Sequence, residues 1–186
     1  MNALAAAAWE LPAPLALGDT TITFAPITPA AKSLIQAAMR RLSPESSRRR
    51  FFPVRRQLSE RELARFTELD GWDRFAIGAL AHARGAPVEG IGVARFARLA
   101  DRGDVAEAAV VVVDAWQGRG IGKLLLRALA RAAFARGIVR LRGVVLPDNQ
   151  PMLGLLSRHA PGLARADARD LVDVEVRLDG AGEDAS

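Results

Sequence analysis

Residues 105–122 limit what this chain can fold into more than any other stretch. Val105–Val113 is almost wholly apolar and β-branched toward its end, the composition of a buried central strand. It runs directly into glycines at alternate positions, Gly118, Gly120 and Gly122, and then into a segment with Leu at 124, 125, 126 and 129 and Ala at 128, 132 and 133. That spacing predicts a helix over Gly120–Arg136, ended by Gly137 at a C′ position. Val139–Leu146 reads as another strand, so Val105–Leu146 is a strand–turn–helix–strand unit, which suits a parallel crossover. Glycines let a backbone come close to a ligand, and the free N–H groups of a helix start, aided by the helix dipole, favour a phosphate.

The rest of the chain has strands and helices around this unit. Thr20–Thr28 alternates as a first strand, and Pro29–Arg41 has apolar residues at helical spacing. Leu42–Arg56 reads as a polar, Arg-rich connection. Ser59 with Glu62 fits a capping box and opens a helix to about Leu69. Phe75–Ala81, Val88–Leu99 and Val105–Val113 are separated by turn residues and read as an antiparallel meander. A short helix is expected from about Asn149 to Arg158, capped by Asp148 or Asn149 with Pro151 in its first turn, and Leu171–Leu178 closes the sheet. The 186 residues favour one domain over 20–178, with a loosely ordered leader at 1–19 and a frayed tail at 179–186.

Composition narrows the chemistry. The sequence has no cysteine and only two histidines, His82 and His159, which excludes disulfides, a Cys nucleophile and a His-rich metal site. No metal is expected. The net charge is +5, but the positives are scattered among acids and no basic stripe alternates with aromatics, so no nucleic-acid partner is expected. No apolar run approaches the ~18 residues of a membrane span. The Ala-rich start lacks a basic n-region and is broken by Glu10 and two prolines, so it is not read as a signal peptide and the expected location is cytoplasmic.

Two phosphate-binding patterns fail. A Walker loop needs Ser or Thr after its lysine, but Leu124 follows Lys123. A dinucleotide fingerprint needs G-x-G-x-x-G and an acid about 20 residues on, but the pattern is G-x-G-x-G and 138–146 holds no acid. Gln117-Gly118-Arg119-Gly120-Ile121-Gly122 instead resembles the Q/R-x-x-G-x-G/A motif of the GNAT acetyltransferases. The resemblance covers roughly residues 20–178. A further likeness to the Pat-type protein lysine acetyltransferase branch lies in Leu42–Ser46, Arg50-Phe51-Phe52, Leu69-Asp70, Gly92–Phe96, Ala106–Val112 and Val145-Leu146 with Asn149 and Met152.

The resemblance implies an α/β (α+β) fold, a central mixed, mostly antiparallel twisted sheet of about six to seven strands flanked by about four helices. It implies acetyl-CoA as acyl donor. Its pyrophosphate would lie on the backbone of Gln117, Gly118, Arg119, Gly120, Ile121, Gly122 and Lys123, its pantetheine arm along Val111, Val112 and Val113, and Asn149 and Met152 would complete its site. A backbone N–H of Val112 or Val113 would stabilise the reaction oxyanion. The family's frequent tyrosine after the Asn falls on Leu156, and the chain has no tyrosine, which leaves a solvent-derived proton for the leaving thiolate.

An acceptor amine such as lysine, with an unperturbed pKa of ~10.4, is mostly protonated at neutral pH and must lose a proton before attack. Glu107 is the candidate base. It interrupts an apolar strand, where a carboxylate is costly without a function or a partner, and it is the acid of the family's Ala-Glu-x-Ala pattern. The bland alternative is a strand-edge Glu facing solvent. Asp70 and Asp73 are substrate candidates, or turn formers. Three functions stand open: protein lysine acetylation, acetylation of a small amine or amino acid, and a non-catalytic acyl-CoA sensor. The acceptor, the acyl chain and the oligomeric state are not readable from the residues.

Overall fold

The structure, a computed structural model, describes residues 9–51, 54–160, 163–168 and 170–178. In chain order it holds β1 (Leu15–Leu17), β2 (Thr20–Pro26), a 3-10 turn (Pro29–Ala31), α1 (Lys32–Arg40), α2 (Pro44–Phe51), α3 (Glu60–Thr67), β3 (Arg74–Ala83), β4 (Glu89–Leu99), β5 (Arg102–Val112), a second 3-10 turn (Asp114–Trp116), α4 (Ile121–Phe134), β6 (Arg140–Val145), α5 (Gln150–His159), β7 (Leu163–Ala168) and β8 (Leu171–Arg177). The strands form one sheet in the order β1-β2-β3-β4-β5-β6-β8-β7. Every pairing is antiparallel except β5 with β6, the parallel pair that α4 connects.

Alternation along the strands sends Ile77, Ala94, Phe96 and Ala106 to one face, where α4 lays Leu125, Leu129 and Ala132 on them without exposed surface. The other face is covered by α1 and α3, with a small core of Met39, Leu58 and Leu63. Gly90 of β4 lets α1 come close, since a Cβ there would meet the Leu34 carbonyl at 3.3 Å. The capping box at Ser59 and Glu62 is formed, and Asn149 caps α5 by accepting from the Met152 amide.

Among the described residues the sheet has eight strands where six to seven were expected, and there are five α-helices where about four were. The added strands are short or weakly patterned: β1 has three residues, within the stretch read as a leader, and β7 is held by its pairing with β8. Trp9, in the same stretch, stacks edge-on against Phe75 with centroids 5.0 Å apart. The added helix is α2, inside the segment read as a connection. It buries Ser46 and Ser47 rather than an apolar stripe, so hydrophobic periodicity does not reveal it. Phe52, residues 1–8 and the expected tail at 179–186 lie outside the described residues.

Candidate active site

The central feature is a fork in the sheet. β5 and β6 pair only at Val105–Arg140, Ala106–Leu141 and Glu107–Arg142, and beyond these registers the strands part. Gly143 lies where they separate, and a Cβ there would press on the Ala108 carbonyl at 3.3 Å. An isolated glycine within a strand is a sequence signal of such a close approach. On its other side β5 stays paired with β4 through Val112, opposite Gly92.

That register decides which backbone groups face the fork. The Val113 amide donates to the Ile91 carbonyl at 2.8 Å, which removes Val113 from the oxyanion candidates. Antiparallel pairs alternate, so Val111 also turns its polar groups to β4, while Ala108, Val110 and Val112 turn theirs to the open edge. Of the three valines expected along a pantetheine arm, Val112 alone offers an edge amide. Ala108 and Val110, which the residues alone did not single out, extend the row.

At the end of the fork the chain makes the glycine turn. Gly118 and Gly120 have φ of 71° and 81°, left-handed values that glycine adopts without strain. Gly120 is the N-cap of α4, and no side chain caps the helix, so its first amides stay open. Gly122 differs: its φ is not positive, and a Cβ would make only ordinary contacts of 3.8 Å with Leu155 and Val112. The fold gives no reason for glycine there, whereas a ligand lying on the helix end does. Gln117 turns its side-chain amide inward, donating to the Val112 carbonyl at 2.9 Å and to Ser46 Oγ at 3.1 Å. Its side chain is thus committed to holding the turn. Arg119 stacks over Trp116 at 5.0 Å.

The fork opens into a cleft of about 780 Å³ lined by Glu107, Lys123, Asn149 and Met152 among others, a volume suited to a cofactor. Lys123, Arg127, Arg142 and Arg158 give it a cationic wall. Partial desolvation, with Lys123, Arg158 and Arg127 nearby, holds His159 below the usual histidine range. The edge amides, the open helix end and the cationic lining fit a thioester carried on an anionic pantetheine nucleotide.

Glu107 is exposed at the base of the fork, opposite Arg142 of β6 and Ala97 of β4. The cost expected for a carboxylate in an apolar strand therefore does not arise, because the side chain opens to the cleft. Asp70 and Asp73 do not line this cleft. Asp70 is a turn former, accepting from the amides of Trp72, Asp73 and Arg74 and from Arg74 Nε. Desolvation opposes its ionisation, but these bonds outweigh it and hold the carboxyl well below the usual range. Asp73 accepts from Arg98 Nε at 2.7 Å. Ser157 donates to the Leu153 carbonyl at 2.9 Å.

Helix α2 bridges the two arms of the fork. At one end Asp114 accepts from the Ser43 amide and from the hydroxyls of Ser43 and Ser46, at 2.7 to 2.8 Å. At the other, Arg48 pairs with the Asp148 carboxylate and Arg49 donates to the Asp148 carbonyl. Partial burial raises the Asp114 pKa, but the Ser43 and Ser46 bonds lower it further, so the group ends below the ordinary range. Its stabilisation is thus complete above the unfolded value of ~3.9 and is lost as pH falls through the lower folded value. Asp114→Asn is expected to destabilise the fold by about 1–3 kcal/mol at neutral pH. Its melting temperature is expected to fall less than wild type's between about pH 4 and pH 2. Parallel pH–melting curves for the two proteins would show that the clasp does not depend on the charge.

The sequence profile of the acetyltransferase (GNAT) family matches residues 44–160, more than half of the chain. The chain belongs to the acetyltransferase (GNAT) family. Within it the likeness is to Pat-type members. Acetyltransferase Pat of Mycolicibacterium smegmatis is 38% identical over 116 residues, which cover 62% of this chain and 34% of that one. This GNAT chain thus spans about a third of that relative's length. The crystal structure of the GNAT domain of S. lividans PAT superposes with a TM-score of 0.77 at 32% identity, covering 91% of this chain and all of that one. The structure of yncA, a putative acetyltransferase from Salmonella typhimurium with its cofactor acetyl-CoA, has the same GNAT fold, with a TM-score of 0.65 at 19% identity over 91% of this chain and all of that one. Among the described residues, no helix is long and apolar enough to cross a membrane.

Proposed function

We propose that this chain transfers an acetyl group from acetyl-CoA to an amine by direct attack on the thioester, and that the acceptor is a protein lysine side chain, in a cytoplasmic setting. The observation that carries the reading is the fork: two strands that part beside a carboxylate and lead to an uncapped, glycine-lined helix start. Family membership and the similarity to Acetyltransferase Pat support it.

In this reading Ala108 and Val110 pair with the pantetheine arm through their edge amides and carbonyls and Val112 through its amide, its carbonyl already accepting from Gln117, and the Gln117–Lys123 backbone receives the pyrophosphate. Glu107 takes a proton from the acceptor ammonium, directly or through one water. The freed lone pair then forms the N–C bond as the C–S bond breaks, the nitrogen gives its second surplus proton to solvent, and the Val112 amide is the candidate donor to the carbonyl oxygen as it gains charge. The thiolate leaves with a solvent proton, since Leu156 occupies the family's tyrosine place and Ser157 donates within its own helix.

Release of CoA, followed with a protein extract, with a panel of small amines and without acceptor, separates the three functions. Release that depends on protein is expected. Release only with small amines would move the acceptor to that class, and binding without release in any arm would leave a sensor. The donor is tested separately by calorimetry. Acetyl-pantetheine, which lacks the pyrophosphate, is expected to bind at least about tenfold more weakly than acetyl-CoA. Equal dissociation constants would show that the glycine turn is no phosphate site.

A further inference from the structure

On the face of the sheet away from α4, Glu107 shares its side with two arginines. Arg95 lies opposite Ala109 and Glu107 opposite Ala97, so Arg95 and Glu107 are diagonal neighbours on adjacent strands, both on the side of Ala109. From α2, Arg50 reaches the same place. It lines the cleft of the fork, and with Arg95 it also lines a second, mostly apolar cavity of about 90 Å³ between α1, α3 and the sheet. Both guanidinium groups are held over rings, Arg50 over Phe51 at 4.9 Å and Arg95 over Phe66 at 4.5 Å. Among the described residues, neither has a hydrogen bond or a close ion pair.

This cluster is not neutralised. Burial and then the like charges of Arg50, Arg65 and Arg74 bring Arg95 down to about 10, against which Glu107 pulls it up. Burial lowers Arg50 as well, and Glu107 again opposes the shift. Both remain cations at neutral pH. One carboxylate thus faces Arg50 and Arg95, while Arg142 beside it is paired with Glu175 at 3.6 Å, and a bare ammonium entering here meets more positive charge than negative. Two stacked, half-buried guanidinium groups with free donors match a planar carboxylate.

We infer that Arg50 and Arg95 form an anion subsite for the acceptor, which therefore carries a carboxylate beside its reacting amine. The carboxylate occupies the two guanidinium groups while the amine is delivered to Glu107. The inference rests on the acyl-transfer reading of this site and names the acceptor class within it. Two sources share the chemistry: an acidic residue flanking an acceptor lysine, or the α-carboxylate of a free amino acid.

The experiment compares matched pairs. In one arm a lysine peptide with a neighbouring Asp is set against the same peptide with Asn, and in the other a free amino acid is set against its amide. In each arm kcat/KM with acetyl-CoA is measured, together with acceptor affinity in the presence of CoA, which needs no turnover. The carboxylate member is expected to be favoured about 10-fold to 100-fold in one arm, mostly through KM and affinity. The arm that shows the preference identifies the source. Arg95→Gln and Arg50→Gln should each lower that preference toward one, and Arg95→Lys should keep part of it, while acetyl-CoA affinity stays unchanged. No preference in either arm, or one that survives both Gln variants, would overturn the subsite. A wild-type protein that binds the carboxylate acceptors selectively yet never releases CoA would instead overturn acetyl transfer and leave the subsite standing.

Discussion

Glu107→Gln is expected to lower the acetylation rate by about 10²–10⁴-fold with little change in acetyl-CoA affinity. Glutamine keeps the shape of the side chain at the base of the fork but accepts no proton. In the proposed reading the donor is held elsewhere, by the open edge of β5 and the start of α4, so its binding is insulated from the change. Glu107 is exposed and its side chain makes no hydrogen bond among the described residues, so the variant should fold. Raising the pH should partly restore its activity, because more of the acceptor is already neutral. A pH–rate profile of kcat/KM for both proteins decides it. Wild-type activity across the range would make Glu107 structural.

Gly120→Asp should abolish tight acetyl-CoA binding while preserving the fold. Two facts make this substitution informative. A Cβ at Gly120 meets nothing within 4 Å, and although its φ is 81°, aspartate tolerates the left-handed region better than most residues. Aspartate is also a preferred N-cap, so its carboxylate would accept from the first amides of α4 and stabilise the helix. Those are the donors a pyrophosphate needs, and a fixed negative charge would be added beside them. Losing one or two charge-assisted hydrogen bonds weakens binding by about 10²-fold or more. A variant with unchanged melting and wild-type affinity in calorimetric titration would place the phosphates away from this turn.

The parts of this molecule that follow from local chemistry were legible in the residues. The β-branched run before Gly118 gave the central strand, the Leu and Ala spacing gave α4, and Ser59 with Glu62 gave the start of α3. The contributions of Val111, Val112 and Val113 were not separable, because which of them faces the open edge depends on the register of β5 against β4, and parity across two strands is not written in either one. Arg50 was visible only as part of an Arg-rich connection and of the Arg50-Phe51-Phe52 likeness, with no role attached. Its place beside Glu107 follows from α2, a helix whose buried face is serine and whose partners, Asp114 and Asp148, lie 68 and 100 residues from the side chains they hold. Asp70 had the opposite difficulty: an acid before a strand suits a cation site and a turn equally, and only the amides of Trp72, Asp73 and Arg74 show which it became.

Because α2 is fastened to Asp114 beyond the end of β5 and to Asp148 beyond the end of β6, it forms a crossbar between the two strand ends. The separation of the two strands fixes the pitch of that bar, and Arg50 rides on its last turn. The contacts of Ser43 and Ser46 with Asp114 and of Arg48 and Arg49 with Asp148 thus tie the position of Arg50 to the spacing of the two strand ends. In the proposed reading, the donor and acceptor sides of the site therefore share one mechanical variable, the gauge of the gap.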